Sequence, residues 1–226
     1  MSFAPQLRAL FPQDVVTADL HGSGDVASLH PDELSATHGF AAKRIAEFAA
    51  GRSCARRALK ELGYPGVPLL PNADRTARFP AGVVGSITHT DGYCAVSVAR
   101  AARFDGIGLD AELVGRVTPE TWPQLFTSDE LVRLERSEET NRGALATIVF
   151  SAKETFYKCQ FLLTQEWVDF QDVAIELVGP VPGEGSFTVR PVRALPHILG
   201  ERPLQGRFYC DTVIVLTGMA FAKTEH

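Results

Sequence analysis

The sequence predicts an α+β protein built from two similar α–β halves, and three observations support this fold class. Apolar residues recur at spacings of three and four between residues 40 and 62, as is typical of a helix. Short apolar runs separated by polar turns follow between residues 83 and 113, and β-rich runs fill the last third of the chain. The segment GYCAVSVA at 92–99 also resembles FYCDTVIV at 208–215, which two related halves would explain.

The first predicted helix carries a cation among its apolar residues. Its apolar stripe consists of Ile45, Phe48, Ala55, Leu59 and Leu62. Gly63 is placed to end the helix, and Arg52 falls on the stripe itself. Because an unpaired buried charge is costly, Arg52 is expected to reach solvent or to pair with a nearby carboxylate, unless a bound anion neutralises it.

The remaining elements are predicted from turn signals and periodicity. A Pro- and Gly-rich loop over 64–82 precedes two strands in VVGSITHTDGYCAVSVA, which are joined by a tight turn at Asp91-Gly92. The segment FDGIGLDAEL is expected to form another strand. Two helices are then predicted over 118–141 and 144–163, and strands separated by Pro and Gly follow from about residue 167.

The composition is that of an ordinary globular protein, with 45% apolar and 22% charged residues among 226. The formal net charge of −5 argues against general nucleic-acid binding, which usually needs a basic excess. The charge is nevertheless segregated, because residues 43–78 carry +5 and residues 105–139 carry −6. Such a division suits a small polyanion bound together with a cation, although solvated faces alone could produce it.

Cysteine usage and the lack of long apolar runs indicate the cytoplasm. The four cysteines are far apart and form no CxxC pair, so reduced buried thiols are expected rather than zinc or a redox dithiol. The N-terminal MSFAPQLRALF has no signal-peptide pattern, and TVIVLTGMAFA near the C-terminus is too short to span a bilayer. We therefore expect a soluble cytoplasmic protein with no membrane association.

Two acidic residues, Asp110 and Glu112, are spaced two apart in the predicted strand FDGIGLDAEL. Side chains at i and i+2 project from the same face of a strand, so both carboxylates point one way. Two like charges held close together destabilise a strand unless a cation lies between them. Oxygen ligands of this kind favour Mg²⁺, and the alternative is a strand end with two solvated acids.

The segment FSAKETFYKC places Lys153, Glu154 and Lys158 on the first two turns of a predicted helix. Ser151 and Glu154 fit a capping box, and Glu154 with Lys158 fits an ordinary i, i+4 ion pair. The alternative is a site for phosphate and metal at the helix N-terminus, where free N–H groups would assist.

His89 lies in the polar turn GSITHTDG after an apolar strand. It follows Ser86 and Thr88, at a position where hydrogen-bond donors commonly face a ligand. A structural and a functional role for this histidine are equally compatible with the sequence.

These segments occur in an order that resembles a known family. GSITH, GIGLDAE and FSAKETFYK, together with KRIAEFAAGRSCARRAL and DRTARFPAGVVGSITHTDG, are similar to the 4′-phosphopantetheinyl transferases of the two-halved Sfp type. Within that type the chain looks most like the enterobactin synthetase transferase component and its actinobacterial relatives. The resemblance covers about residues 40 to 160.

The resemblance implies a reaction and a metal. Such enzymes, also called holo-acyl-carrier-protein synthases, move the 4′-phosphopantetheine arm of coenzyme A onto a serine of an apo carrier protein and release 3′,5′-ADP. By resemblance, Asp110, Glu112 and Glu154 would hold Mg²⁺, with Mn²⁺ as an alternative metal. Glu154 would also act as general base, and Lys153 and Lys158 would neutralise phosphate oxygens.

The resemblance also implies how coenzyme A and the partner proteins are bound. His89 would contact a coenzyme A phosphate, and Arg44, Arg52 and Arg75 would hold the 3′-phosphate and adenine end. Residues 1–105 and 106–226 would form two halves related by a pseudo-twofold axis, with the site in the cleft between them. The partners would be apo acyl, peptidyl or aryl carrier proteins served by a monomer.

Three alternatives stay open at this point. The carriers could belong to fatty-acid, polyketide or siderophore and other nonribosomal peptide synthesis. A catalytically silent protein that binds coenzyme A or carriers would need the cleft but no complete metal site. A Mg²⁺-dependent nucleotide hydrolase would release a fragment of coenzyme A without any carrier.

Overall fold

Two antiparallel sheets, each packed against one long helix, form the fold of the computed structural model, which describes residues 3–73, 76–200 and 202–223. The N-terminal half consists of α1 (Ala4–Ala9), β1 (Val16–His21), α2 (Pro31–Ser35), α3 (Ala42–Glu61), β2 (Val83–Thr90) and β3 (Tyr93–Arg100). Its strand order is β1-β3-β2, and α3 packs on β3 and β1. The buried face of α3 joins the core between this helix and its sheet.

The C-terminal half begins with β4 (Phe104–Leu113) and continues with α4 (Trp122–Leu125), α5 (Ser128–Arg136), α6 (Glu139–Thr164), β5 (Val173–Val178), β6 (Gly183–Pro191), β7 (Gln205–Cys210) and β8 (Ile214–Ala222). Its sheet has the order β4-β8-β7-β6-β5, and α6 crosses β4 and β8. The predicted α+β class is confirmed, although the two sheets are unequal, with three and five strands among the described residues.

Several predicted elements need correction. The helix expected over 118–141 is divided into α4 and α5, because Phe126 is extended and Thr127 starts α5 with a capping box to Glu130. The helix expected to start at residue 144 begins at Glu139. Ser151 therefore lies inside α6 and cannot cap it, so the predicted capping box is wrong.

The two similar sequence segments, 92–99 and 208–215, do not form equivalent strands. Residues 93–99 of the first copy lie within β3, whereas 208–215 runs from β7 through a turn into β8. The halves are similar in their helix-on-sheet plan rather than in this pair of segments. The boundary predicted between residues 105 and 106 lies inside β4.

Two glycines let α6 approach β4 closely. A Cβ at Gly106 would overlap the carbonyl group of Cys159, and a Cβ at Gly108 would overlap the carbonyl oxygen of Thr155. Only a residue without a side chain fits such a backbone-to-backbone approach. The close packing brings the acidic end of β4 against the middle of α6.

Hydroxyl side chains join the two sheets where β2 runs beside β4. Ser86 Oγ accepts a hydrogen bond from the Leu109 N–H at 3.1 Å, and Thr88 Oγ1 accepts one from the Ala111 N–H at 3.2 Å. These bonds take the place of a backbone ladder, since β2 and β4 belong to separate sheets. In the described part of the chain, no helix is both long and apolar enough to cross a membrane.

Candidate active site

A cavity of about 250 Å³ lies at the junction of the two halves. The N-terminal half contributes residues of α3 and β2 to its walls, and α6 closes the other side. Its lining includes Arg44, Arg52, His89, Tyr157, Lys158 and Phe161. Four of the residues predicted to bind coenzyme A therefore share one cavity.

On the N-terminal side, Arg44, Glu47 and His89 form a polar cluster. Arg44 Nη1 lies 2.8 Å from His89 Nε2, and Glu47 Oε2 lies 3.3 Å from Arg44 Nη1 and 3.2 Å from His89 Nε2. The pKa of His89 is lowered, first by burial and then by the charge of Arg44. In its neutral form the imidazole can accept a hydrogen bond from the guanidinium at Nε2.

Arg52 is held inside this wall rather than at the surface. Its side chain is only 7% exposed, Nε donates to the Leu69 carbonyl at 2.9 Å, and the guanidinium lies 3.8 Å from the centre of the Phe48 ring. Burial lowers its pKa to about 10, with Glu33 opposing the shift. The nearby Glu33 is paired with Arg56 at 2.7 Å.

The expectation that Arg52 reaches solvent is therefore wrong. No carboxylate of the described ranges forms an ion pair with it, and its guanidinium lines the cavity. An anion bound in the cavity would stabilise a buried cation of this kind. Arg75, which was predicted to act beside it, lies outside the described residues.

On the C-terminal side, Asp110 is the most firmly held acidic residue. Its carboxylate is buried, with 3% of the residue exposed. Oδ1 accepts hydrogen bonds from Lys158 Nζ at 2.6 Å and Thr88 Oγ1 at 3.1 Å, and Oδ2 accepts one from Ser151 Oγ at 2.8 Å. The pKa of Lys158 is raised, because its acidic neighbours, Asp110 above all, outweigh the opposing effect of burial.

Glu112 and Glu154 are part-buried beside this pair. The pKa of Glu112 is raised to about 7, first by burial and then by the Asp110 charge. Burial also raises the pKa of Glu154, while Lys158 opposes the shift and Asp110 adds to it. The mutual influence of three carboxylates around one ammonium indicates a local excess of negative charge.

The donor set suits a hard divalent cation, although no rigid cage is preformed. Within the described ranges, no three histidine, cysteine, aspartate or glutamate side chains are already arranged around a common metal position. Mg²⁺ needs no such cage, because it is commonly held by one or two carboxylates together with water and substrate phosphates. The three acidic residues predicted as ligands are therefore compatible with such a metal by the chemistry of their oxygen donors.

Lys153 lies on a different side of α6 and is not brought into the cavity. It is 1% exposed and pairs with Glu130 Oε2 at 2.7 Å, while also donating to the carbonyls of Leu125 at 3.0 Å and Phe170 at 2.7 Å. Burial lowers its pKa, and Glu130 opposes the shift. With all three donors engaged, Lys153 has none left for a phosphate, which corrects the role expected from the sequence.

The expected help from a helix N-terminus is also absent at this site. Glu154 and Lys158 lie in the middle of α6, where the backbone N–H groups are used within the helix. The positive charge available to a phosphate from this helix is that of Lys158.

Comparisons with known proteins agree with this arrangement. Residues 33–99 match the family model described as 4′-phosphopantetheinyl transferase N-terminal domain, and residues 106–194 match the 4′-phosphopantetheinyl transferase superfamily. The 4′-phosphopantetheinyl transferase Svp of Streptomyces mobaraensis is 33% identical over 231 residues, which cover 96% of this chain and 89% of the relative. The chain belongs to the 4′-phosphopantetheinyl transferases.

Other relatives align with different shares of this transferase. The transferase PptT of Mycobacterium tuberculosis is 31% identical over 223 residues, 96% of each chain. Enterobactin synthase component D of Salmonella typhi is 36% identical over 118 residues, 51% of this chain and 48% of the relative. The two family models meet between β3 and β4, at the junction of the two halves.

Sequence reasoning missed an aromatic group formed by Tyr157 and Phe161, which line the transferase cavity, and by Trp167, which contacts Tyr157. Tyr157 stacks on Phe161 with ring centres 5.4 Å apart and meets Trp167 edge-on at 5.1 Å, and Trp167 is 74% exposed. The i, i+4 spacing of Tyr157 and Phe161 was the available signal. It could not distinguish a cavity wall from core packing.

Proposed function

We propose that this transferase moves the 4′-phosphopantetheine group of coenzyme A to a serine of an apo carrier protein and releases 3′,5′-ADP in a Mg²⁺-dependent reaction. The observation that carries the proposal is one cavity with the exposed Arg44 and the buried Arg52 on the α3 side and a carboxylate–lysine cluster on the α6 side. This charge arrangement suits a ligand with phosphates at two places.

Arg44, Arg52 and His89 are proposed to hold the 3′-phosphate and adenine end of coenzyme A. Arg52 supports this role most strongly, since its buried guanidinium lines the cavity without an ion pair to a described carboxylate. A phosphate there would accept charge-assisted hydrogen bonds. Arg75 is proposed for the same end from the family resemblance alone.

Asp110, Glu112 and Glu154 are proposed to hold Mg²⁺, or Mn²⁺ in its place. When bound, the metal would neutralise oxygens of the pyrophosphate. Lys158 would contribute the second positive charge, because its ammonium already lies among these acids. Its charge would stabilise the 3′,5′-ADP leaving group as the phosphoanhydride bond breaks.

Glu154 is proposed to act as the general base, directly or through a water. Its pKa is raised by burial, which makes the carboxylate a better proton acceptor than an exposed glutamate. The serine oxygen would attack the phosphorus next to pantetheine while its proton passes to Glu154. The bond to 3′,5′-ADP breaks in the same substitution, and no covalent enzyme intermediate is required.

We further propose that the protein acts in the cytoplasm as a monomer on acyl, peptidyl or aryl carrier proteins. The free, buried state of all four cysteines, Cys54, Cys94, Cys159 and Cys210, is compatible with a reducing compartment. Two halves that build one cleft within a single chain support action as a monomer. The biosynthetic pathway that the protein serves is tested by comparing carrier proteins from different pathways.

The test is intact-mass analysis of apo carrier proteins from fatty-acid, polyketide and siderophore synthesis. Each is incubated with the protein, coenzyme A and Mg²⁺, with EDTA and carrier-free reactions as controls. A gain of one phosphopantetheine group that disappears with EDTA is expected. Coenzyme A binding with no gain on any carrier would favour a silent binding protein, and cleavage of coenzyme A without carrier would favour a hydrolase.

A further inference from the structure

The Asp110 carboxylate is held from both halves of the protein at once. Thr88, on β2 of the N-terminal half, donates to Oδ1 at 3.1 Å. Ser151, on α6 of the C-terminal half, donates to Oδ2 at 2.8 Å. All three residues are buried, so neither hydroxyl can be replaced by bulk water.

Thr88 also fixes the backbone beside this carboxylate. The same Oγ1 that donates to Asp110 accepts from the Ala111 N–H at 3.2 Å. A hydroxyl group has one proton and two lone pairs, so both bonds form together. Thr88 therefore links β2 to the main chain and to the side chain of β4 at the point where the two sheets meet.

Ser151 is held in turn by two further buried hydroxyls. Its Oγ lies 2.8 Å from Thr217 Oγ1, and Thr217 Oγ1 lies 2.7 Å from Thr155 Oγ1. None of the three side chains is exposed. Thr217 Oγ1 also donates to the Ser151 backbone carbonyl at 3.0 Å, so Thr217 contacts both the side chain and the main chain of Ser151 and holds the serine in place.

We propose that Thr88 and Ser151 are positioning residues that fix the Asp110 carboxylate across the junction and thereby set the affinity for the divalent metal. This inference rests on the proposed function, because it takes Asp110 to be a metal ligand. Neither hydroxyl needs to touch the metal or substrate. A consequence is that metal binding depends on how the N-terminal half packs against β4.

The test compares Thr88→Val, Thr88→Ser and Thr147→Val with the wild type. Valine keeps the shape of threonine but removes both hydrogen bonds, whereas serine keeps the hydroxyl. Thr147 is the matched control, because it is fully buried, donates to the Gly143 carbonyl at 2.8 Å and accepts from the Gly115 N–H at 3.2 Å without contacting Asp110. Folding of each variant is measured by urea unfolding.

Mn²⁺ binding is measured from the electron paramagnetic resonance signal of the free ion, with and without coenzyme A, on each full-length protein. Loss of an outer hydrogen bond to a metal ligand typically weakens metal binding by about 10- to 100-fold. Thr88→Val is expected to show such a loss, Thr88→Ser to restore most of the affinity, and Thr147→Val to bind as the wild type does. Ser151→Ala is expected to behave like Thr88→Val.

Carrier modification at graded Mg²⁺ concentrations separates this inference from the proposed function. A Thr88→Val protein that modifies the carrier but needs more Mg²⁺ for half-maximal rate would support the positioning role. Wild-type Mn²⁺ affinity in both Thr88→Val and Ser151→Ala would overturn it while leaving the transfer reaction intact. Failure of the wild type to modify any carrier would instead overturn the proposed function, and failure to bind Mn²⁺ would overturn the positioning role.

Discussion

Lys158 Nζ lies 2.6 Å from Asp110 Oδ1, so the middle of α6 and the acidic end of β4 are joined by a charge-assisted hydrogen bond. The pair forms because Gly106 and Gly108 allow the helix to approach the strand closely. It sets a cation beside the acids that are proposed to bind the metal. The same ammonium lines the cavity, where it is available to a phosphate.

Replacing this cation should impair transfer more than folding. Lys158→Met is expected to reduce kcat/KM for carrier modification by about 100- to 1,000-fold, by analogy with the loss of one transition-state hydrogen-bond donor. The measurement is the initial rate of carrier mass gain. Lys223→Met is the control, since Lys223 does not line the cavity and its Nζ lies 3.5 Å from Asp105 Oδ1. Equal rates for the two variants would contradict a role for Lys158 in the reaction.

Arg52 should recognise the 3′-phosphate of coenzyme A. The wild type is expected to bind coenzyme A more tightly than 3′-dephospho-coenzyme A, and Arg52→Met should reduce that preference by about tenfold or more, because a charge-assisted hydrogen bond is lost. Titration calorimetry with both ligands measures this preference as the ratio of their dissociation constants. Arg57→Met is a control on the same helix, where Arg57 donates to the Asp19 carbonyl. An unchanged preference in Arg52→Met would show that Arg52 does not recognise the 3′-phosphate.

Lys153 should matter for stability rather than for phosphate binding. Lys153→Met leaves Glu130 buried without its cation and is expected to lower the free energy of unfolding by about 3–5 kcal/mol. The double variant Lys153→Met/Glu130→Gln should recover part of the loss, because the uncompensated charge is removed. Urea unfolding of the single and double variants measures both effects. Full stability of Lys153→Met together with weaker coenzyme A binding would restore the phosphate role.

His89 should make coenzyme A binding depend on pH. Its pKa in the free protein is lowered from 6.5 by burial and by Arg44. A phosphate bound beside it favours the protonated form and raises that pKa, so binding takes up protons between the two pKa values. Affinity should therefore fall as pH rises through this interval.

Calorimetry in buffers of different ionisation enthalpy, at about pH 6 to 8, measures the proton uptake of His89. The ligand phosphate itself titrates near a pKa of about 6, so His89→Gln supplies the background. Uptake in the wild type should exceed that in His89→Gln. Identical uptake by the two proteins would show that His89 does not contact a phosphate.

Gly108 should be intolerant of a side chain. A Cβ there would overlap the Thr155 carbonyl oxygen, so Gly108→Ala is expected to destabilise the fold by about 3 kcal/mol as α6 is pushed from β4. Gly143→Ala is the matched control, because the nearest atom to its Cβ would be 3.9 Å away. Thermal unfolding compares the two variants. Similar midpoints would mean that β4 and α6 can separate without cost.

The sequence by itself determined the α+β class, several of the helices and strands, and the acidic and basic character of the site. Helical periodicity gave α3 and singled out Arg52 as a cation on an apolar stripe. The two-residue period of a strand put Asp110 and Glu112 on one face of β4, and the raised pKa of Glu112, caused first by burial and then by the Asp110 charge, agrees with that placement. These inferences succeed because the spacing along one element is fixed by backbone geometry alone.

Only the tertiary structure decided which neighbours each face meets. Lys153 and Lys158 are five positions apart and point about 140° away from each other around α6, so they could not both face one cavity closely. Packing against α5 directs Lys153 to Glu130, while packing against β4 directs Lys158 to Asp110. Because α6 starts at Glu139, Ser151 does not cap this helix, and its hydroxyl donates to the Asp110 carboxylate instead. Such roles depend on long-range contacts between distant segments, which local periodicity does not encode.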